Sequence, residues 1–417
     1  MTGRAYDPAD VSSIEFWSAN SDEREATFAQ LRRERPVSWH PPAEGSPLPD
    51  FGADRPSFWA VVRHADVVTV SRRPDLFCSG QGVLLADVPQ EFLDATLSFL
   101  GMDDPRHFSL RRLVSSAFTP RRMAAIEDQI RAQARQIVDD FVSLPPGDYD
   151  FVTEVSARLP MWTISEMIGV DPADRVDVAR SASGIVDAAD PSVNNGRPVF
   201  DMIAESIIDL HTRAHAMAQD RRSNPRDDLM TALVEAEVEG ERLADDEIAA
   251  FFVLLAVAGN DTSRNTISLG MKALNDHPDQ RSLLLADLPG RIDTAVEEIF
   301  RWASPVLAFR RTATQDVELN GRSITAGDKL VMFYPSANRD ESVFENAHRF
   351  DVTRDPNPHV SFGGGGPHYC LGASLARTQV KAVFAELLTR VPHLEVGEPR
   401  HRIGNLVYSI GALPCRI

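Results

Sequence analysis

The chain has 417 residues, of which 43% are hydrophobic and 25% are charged, a composition typical of a globular protein with a large core. Its 61 acidic residues outnumber its 43 basic residues and give a formal net charge of −18, which argues against nucleic acid or an anionic membrane as the main partner. The polar N-terminus does not resemble a secretory signal, and the longest strongly apolar run, residues 251–259, is far shorter than the ~20 residues of a membrane span. Three scattered cysteines are too few for a disulfide framework. We therefore expect a cytoplasmic protein without a membrane anchor.

The predicted elements form a helix-rich chain with small β elements. Proline and glycine are frequent in residues 36–60, where we predict a loop and a short pair of strands, one of them at 58–62. Apolar residues at helical spacing predict helices over 124–142, 202–217, 245–274 and 371–391. Residues 308–332 predict strands with a hairpin at Asn320-Gly321, and residues 334–362 carry few regular signals. No linker-like composition divides the chain, so we expect one mainly α domain with small β-sheets, an α+β fold, over residues 1–417.

The predicted helix 245–274 is apolar on all sides over 251–258 and should therefore be buried. Gly259, Asp261 and Thr262 interrupt it, although a buried unpaired carboxylate is costly and a helical glycine costs about 1 kcal/mol. Such local violations are typical of functional sites. Thr262 could hydrogen-bond oxygen during its activation, Asp261 could relay protons from solvent, and Gly259 could leave room in a locally widened turn. Equally, these residues could be the polar end of a buried helix.

Glu298 and Arg301 lie three residues apart in the segment 296–302, which places both side chains on one face of a helix. Taken alone, the pair is best explained as an exposed salt bridge, which contributes little to stability. Along the chain, the pair lies between this apolar helix and the cysteine-containing segment described next.

The strongest local signal is the sequence Phe-Gly-Gly-Gly-Gly-Pro-His-Tyr-Cys-Leu-Gly of residues 362–372, called here the cysteine loop. Consecutive glycines let the backbone fold tightly and approach a flat ligand closely. Cys370 stands at the start of the last predicted helix, where N–H groups stabilise a thiolate, and a thiolate suits haem iron. His368 could direct a donor at a haem propionate. A glycine-rich loop can also bind phosphate, but this one has no lysine and no Walker spacing, and a lone cysteine is more often a core residue.

Together the three motifs resemble the cytochrome P450 family, in the family's order and over essentially the whole chain. The resemblance implies a helix-rich fold that encloses haem b, with Cys370 as the proximal iron ligand and Asp261 and Thr262 as the oxygen-activating pair. It also implies that the Glu-x-x-Arg pair forms a structural ion-pair network with an arginine of the later loop, Arg349.

The same resemblance implies a set of haem contacts. Haem carries two propionates, which need charged or hydrogen-bonded partners when they are buried. The residues that match the family's propionate-binding positions are His107, Arg111, Arg311 (with Arg310 as a rival) and His368. The other expected haem contacts are Ala258, Gly259, Phe362, Gly363 and Gly372.

The cysteine loop departs from the family pattern in one respect. Phe362 lies eight residues before Cys370, where most members have seven. This longer version resembles bacterial members that oxidise sterols, methyl-branched lipids and similar molecules, and residues 258–265 and 357–360 share that likeness. We therefore expect an apolar substrate: a sterol, a terpenoid, or a branched or fatty lipid. Candidate substrate contacts, each of which could equally be a core residue, are Val83, Leu84, Leu85, Leu100, Ala258, Val306 and Leu307.

The resemblance implies a monooxygenase that inserts one atom of O2 into a C–H bond of this substrate. The chain has no flavin or iron–sulfur motif, so we expect electrons from a small acidic ferredoxin and a ferredoxin reductase. Such a partner would dock on a basic patch, for which the candidates are Arg112, Arg121, Arg122, Arg377 and Lys381. The alternatives are a peroxide-driven haem oxygenase or isomerase, and a haem-based ligand-binding regulator without turnover. The retained acid–alcohol pair favours oxygen activation over both.

Overall fold

The computed structural model describes residues 4–44, 57–87, 90–96, 98–117, 120–238 and 240–417. These residues form a mainly helical fold with small β-sheets, as the sequence predicts. The α-helices are α1 Ile14–Ser18, α2 Ser21–Glu34, α3 His64–Arg72, α4 Gln90–Thr96, α5 Arg106–Ala117, α6 Pro120–Val142, α7 Arg158–Ile168, α8 Arg175–Val186, α9 Pro191–Asn194, α10 Val199–Ser223, α11 Leu229–Glu235, α12 Asp245–Asp276, α13 Pro278–Ala286, α14 Leu288–Ala303, α15 Tyr334–Ala337 and α16 Ala373–Arg390.

The strands are short. They are β1 Val37–His40, β2 Phe58–Val61, β3 Phe77–Cys78, β4 Asp148–Asp150, β5 Glu237–Val238, β6 Glu241–Arg242, β7 Ala308–Ala313, β8 Val317–Leu319, β9 Arg322–Ile324, β10 Lys329–Phe333, β11 Glu395–Val396, β12 Arg400–Arg402, β13 Ser409–Ala412 and β14 Pro414–Arg416. The largest sheet has the order β1-β2-β10-β7-β3; β2 and β10 run parallel, and the other neighbours are antiparallel. The predicted hairpin is confirmed, with β8 and β9 joined at Asn320-Gly321, where both residues have positive φ.

Helix α12 is the central element of the fold. Its first turn carries Asp245, Asp246 and Glu247, where negative charge is favoured, and the Glu247 carboxylate accepts a hydrogen bond from the backbone N–H of Ala244 at 3.0 Å. Most of the apolar stretch that follows is buried, and the helix as a whole packs against α7, α8, α10 and α14. None of the helices in the described part of the chain is both long and apolar enough to cross a membrane.

The widened turn expected at Gly259 is not observed, because α12 is a continuous α-helix from Asp245 to Asp276. A Cβ atom at residue 259 would lie 2.8 Å from Cδ1 of Ile164 on α7. Close packing between two helices, and not a local distortion, is therefore the structural reason for this glycine.

Gly270 allows a second close approach of α12, here to α14 and α16. A Cβ at this position would lie 2.6 Å from Cγ2 of Ile299 and 3.0 Å from Cζ of Phe384, both buried in the core. We expect Gly270→Ala to destabilise the protein by about 1–3 kcal/mol through overpacking, measured by thermal unfolding. The control is Gly147→Ala, whose Cβ would make an ordinary 3.4 Å contact with Tyr149. Equal stability of the two variants would contradict this account of helix packing.

Candidate active site

A large cavity of about 580 Å³ lies between α12, the cysteine loop and the five-stranded sheet. Its wall is mostly apolar, and it brings together residues that are far apart in the chain. Cys370 and Thr262 both line it, as do Arg311 and His368. The thiol, the alcohol and the cationic residues singled out in the sequence therefore share one cavity.

A backbone hydrogen bond closes the cysteine loop. The N–H of Cys370 donates to the carbonyl of Phe362 at 2.9 Å, and Gly372 is the N-cap of α16, so the helix begins three residues after the cysteine. The Phe362 ring packs 4.6 Å from that of Phe300, and the Arg377 guanidinium lies 4.4 Å from its centre. The loop thus presents the Cys370 side chain to the cavity from a fixed backbone.

Two of the loop's four consecutive glycines are required by contact with α3. A Cβ at Gly364 would lie 2.9 Å from Cα of Val68, and one at Gly366 would lie 2.3 Å from the carbonyl oxygen of Ser71. Gly366 also has a φ of +78°, which side-chain-bearing residues rarely adopt. The longer cysteine loop therefore packs its backbone directly on α3.

The Cys370 side chain lines the cavity and is exposed there. Burial raises the pKa of this thiol, while the N–H of Gly372 and the positive charges of Arg111 and Arg377 act in the opposite direction. Desolvation dominates, so the polypeptide alone does not stabilise the thiolate. A metal cation in the cavity would supply the missing stabilisation, and this fits the donor chemistry of a haem-thiolate site.

Two buried imidazole nitrogens have no hydrogen-bond partner within the described residues: one belongs to His368, which lines the cavity, and the other to His107, which lies behind it. The rings of His107 and His368 lie 4.1 Å apart, and His107 Nε2 and His368 Nδ1 are buried without a hydrogen-bond partner. Arg311 is 5% exposed, and its side chain donates to the carbonyl of Arg310 at 2.7 Å. Its guanidinium forms no ion pair within the described residues. Burial together with the charge of Arg311 lowers the pKa of His368 to about 2, so this ring is neutral. These donors fit the propionates of a haem.

The structure shows which of the two neighbouring arginines, Arg310 or Arg311, faces the cavity. Successive side chains of a strand point to opposite faces, and both residues lie on β7. Arg310 pairs with Asp87 at 2.6 Å and donates to the carbonyl of Gln81 at 2.7 Å. Arg311 lines the cavity, as does Arg111, which also donates to the carbonyl of Tyr369.

Asp261 and Thr262 are adjacent on α12 but face different surroundings. Thr262 lines the cavity, and its hydroxyl donates to the carbonyl of Ala258 at 2.8 Å. Asp261 is fully buried and bonds to Ser183 at 2.9 Å and Arg264 at 3.1 Å, while its Oδ2 has no partner in the described residues. Burial raises the pKa of Asp261, against the charge of Arg264. This carboxyl group is therefore suited to hold a proton.

The network around Asp261 continues to the surface. Arg264 lies 3.5 Å from Asp187 on the neighbouring segment, and Asp187 also pairs with Arg402. The Arg402 side chain is 24% exposed, whereas Asp187 is buried. A chain of ionic contacts thus connects the buried carboxyl with solvent.

The Glu298–Arg301 pair is not an exposed salt bridge. Both side chains are fully buried, with N···O distances of 2.7 Å, and Arg301 also donates to the carbonyls of Asn338, Ala347 and Arg349. The expected third member, Arg349, contributes only that carbonyl. Arg354 instead bonds Glu298 at 3.1 Å, because the turn from Asp351 to Arg354 directs this side chain inward while Arg349 is exposed. The pairing of Arg349 with Glu298 was therefore wrong.

Five of the seven candidate substrate contacts line the cavity: Leu84, Leu85, Leu100, Ala258 and Val306. Val83 and Leu307 do not. Val83 is fully buried and its carbonyl accepts a hydrogen bond from Arg310, while Leu307 packs in a separate core cluster with Trp17 and Phe333. Other lining residues that no sequence signal singles out are Phe99, Ile164, Ile203, Phe309, Asn405 and Val407.

The basic patch proposed for redox docking is largely paired. Arg377 bonds Glu297 at 2.6 Å, and Lys381 bonds Asp293 at 2.5 Å. Arg112 lies over the ring of Phe108 at 5.9 Å. The side chains of Arg121 and Arg122 lie outside the described residues. The positive charge of the described part of this patch is thus mostly neutralised.

Arg349 and Arg354 provide a matched pair of variants. Arg354→Gln removes a charge-assisted bond from the fully buried Glu298, so we expect about 1–3 kcal/mol of destabilisation. Arg349→Gln keeps its backbone carbonyl in place and should change stability by less than about 0.5 kcal/mol. Thermal unfolding of the haem-loaded proteins measures both. A larger loss of stability in Arg349→Gln than in Arg354→Gln would show that Arg349 is the partner of Glu298.

Comparisons with known proteins identify the family of the chain. The "Cytochrome P450" family model matches residues 291–400. The chain is 43% identical to the methyl-branched lipid omega-hydroxylase of Mycobacterium tuberculosis over 97% of this chain and 94% of that protein, and 41% identical to the steroid C26-monooxygenase of Mycolicibacterium smegmatis over 89% and 85%. The solved structure of Mycobacterium marinum cytochrome P450 CYP268A2 in complex with pseudoionone is 52% identical, covers 100% of both chains and has a TM-score of 0.96. The chain therefore belongs to the cytochrome P450 family and is a haem-dependent monooxygenase.

Proposed function

We propose that this monooxygenase hydroxylates a neutral, methyl-branched apolar molecule of the lipid, sterol or terpenoid class, with Cys370 as the thiolate ligand of haem b. One observation carries the proposal: Cys370 opens into an apolar cavity that Thr262 also lines. The relatives named above act on a methyl-branched lipid and a steroid, and the solved structure holds pseudoionone. All three names describe largely apolar molecules.

The bound haem supplies the oxygen activation and the C–H oxidation. The chain contributes binding and proton supply. Arg311, His107, Arg111 and His368 would bind the propionates, since His107 Nε2 and His368 Nδ1 have no other partner among the described residues. The Thr262 hydroxyl delivers protons into the cavity, and Asp261 holds the next proton at the inner end of the network to Arg402.

The charges on the cavity wall favour an uncharged substrate. Among the described lining residues, the ionised side chains are Arg111, Arg311 and Glu44, and the two arginines are assigned to the haem propionates. A substrate carboxylate would thus enter an apolar cavity whose remaining charge is negative, and its desolvation would not be compensated. A neutral ketone or alcohol avoids that cost.

Electrons must come from redox partners, and we infer a small acidic ferredoxin with its reductase. Of the basic-patch residues whose side chains the structure describes, Arg112 is the one that forms no ion pair with another described residue. It lies on α5 with Arg111. Charge complementarity at such a site would raise the rate of encounter more than the affinity. We propose that docking takes place around α5.

The ligand assignment is tested by the spectrum of the reduced protein with carbon monoxide. We expect the strong red shift of the Soret band that thiolate ligation produces, and its loss in Cys370→Ser. Cys78→Ser is the control, because Cys78 is buried in β3 away from the cavity lining. A red-shifted band that survives Cys370→Ser would place the ligand elsewhere.

The proton role of Thr262 is tested by coupling efficiency. Thr262→Ala should lower product formed per reduced nicotinamide consumed by about 10-fold or more, because proton delivery contributes at least that much when a positioned group is removed. Thr266→Ala, one turn further along the same wall, is the control and should leave coupling near wild type. Equal coupling in wild type and Thr262→Ala would contradict the role.

The preference for neutral substrates is tested by titrating the ferric protein and following the spin-state shift of the haem. A branched isoprenoid ketone should bind at least about 10-fold more tightly than the corresponding branched carboxylic acid at pH 8, where the acid is ionised. Glu44→Gln should improve binding of the acid and leave that of the ketone unchanged. Tighter binding of the acid by wild type would show that a cation outside this set receives it.

A further inference from the structure

Trp17 lines both the active-site cavity and a second cavity of about 290 Å³. The second cavity lies between α2, the C-terminal end of α12, the end of α14 and residues 398–408. Among the described residues, Trp17 is the one that the two linings share. The second cavity is thus separate from the haem and substrate contacts assigned above.

Two arginines on its wall have no carboxylate partner. Arg24 is 5% exposed, and its guanidinium carbon lies 4.5 Å from the ring centre of Tyr408. Arg339 lies 4.8 Å from the ring centre of Trp302 and donates to that residue's carbonyl at 3.4 Å. Neither arginine forms an ion pair within the part of the chain that the structure describes. A buried cation is costly without a counter-charge, so this wall is suited to an anion.

Other donors surround the same space. The indole Nε1 of Trp17 is buried and has no acceptor in the described residues. Lys272 also lines the cavity, as does His401, whose ring stacks on Tyr408 at 4.7 Å. Burial, with the charges of Arg24 and Lys272, lowers the pKa of His401 to about 4, so the ring is neutral at pH 7. The cavity is therefore bounded by aromatic rings and positive groups.

The carboxylates on this wall are already engaged or solvated. Asp276 and Glu398 both bond Lys272, at 2.6 Å and 3.2 Å. Glu25 pairs with Arg32, which does not line the cavity, and Asp22 is exposed in the first turn of α2. None of them lies within ion-pair distance of either unpaired arginine in the described structure.

We propose that this second cavity binds a small oxyanion, a carboxylate or a phosphate, with Arg24 and Arg339 as its cationic ligands and Trp17 Nε1 as a further donor. Planar guanidinium groups match the paired oxygens of both anions, and aromatic stacking fixes the two planes. The occupied site would join α2, α12 and α14, so anion binding should stabilise the folded protein.

The test uses the haem-loaded enzyme with inorganic phosphate and, separately, succinate, at constant ionic strength with chloride as the balancing anion. We expect at least one of the two to give a saturable rise in Tm and a matching isotherm by titration calorimetry. Arg24→Gln should weaken binding by about 10- to 100-fold, as loss of a charge-assisted hydrogen bond predicts. Arg33→Gln removes the same charge from an exposed position of α2 and should leave binding unchanged.

The remaining variants keep the result interpretable if Arg24→Gln fails to fold, which the carbon monoxide spectrum would reveal. Arg24→Lys keeps the charge without the guanidinium fork, and Arg339→Gln removes the second ligand; each should weaken binding. A response to phosphate alone or to succinate alone identifies the anion class. The proposal is overturned if neither anion differs from chloride in the wild type, or if the folded Arg24 and Arg339 variants bind as tightly as Arg33→Gln.

Discussion

The structure depends on charged and ionisable groups that are buried without partners of their own. Arg311 and His368 line one edge of the cavity, and His107 Nε2 and His368 Nδ1 beside it are buried without a hydrogen-bond partner among the described residues. Cys370, on the cysteine loop, has a pKa raised by burial. A haem bound in the cavity would meet both requirements, because its iron would stabilise a thiolate and its propionates would accept hydrogen bonds from these donors. The binding energy of the cofactor would thus also be folding energy for this region.

The scaffold around the cysteine is rigid for identifiable reasons. The Glu298 carboxylate is bonded by Arg301, Arg354 and the amide of Asn357, and Arg301 in turn binds three backbone carbonyls of residues 338–349. This cluster ties α14 to the long irregular segment that leads into the cysteine loop. Glycines at 364 and 366 then let that loop pack against α3. A segment with little regular structure is therefore fixed by buried ionic and backbone contacts.

The wall of the cavity has a polar part and an apolar part. One side is polar and cationic, which suits the cofactor, and the remainder is apolar and comes from α4, α7, α12 and the segment near residue 405. Asp261 faces away from the cavity into an ionic network, while its neighbour Thr262 faces inward. Trp17, which borders both this cavity and the second one, is the point at which the two sites meet.

The sequence by itself determined the family, the helix-rich class, and the residues Cys370, Thr262 and His368 that share the cavity. Those conclusions rest on local signals: apolar periodicity, a turn dipeptide, and motifs whose chemistry is contained in a few consecutive residues. The tertiary structure alone decided which of two arginines pairs with Glu298, since a turn directs Arg354 inward and leaves Arg349 exposed. It also decided that Gly259 accommodates Ile164, and that Val83 and Leu307 are core residues. Each depends on the direction of a side chain relative to elements distant in the chain, and no local pattern encodes that direction.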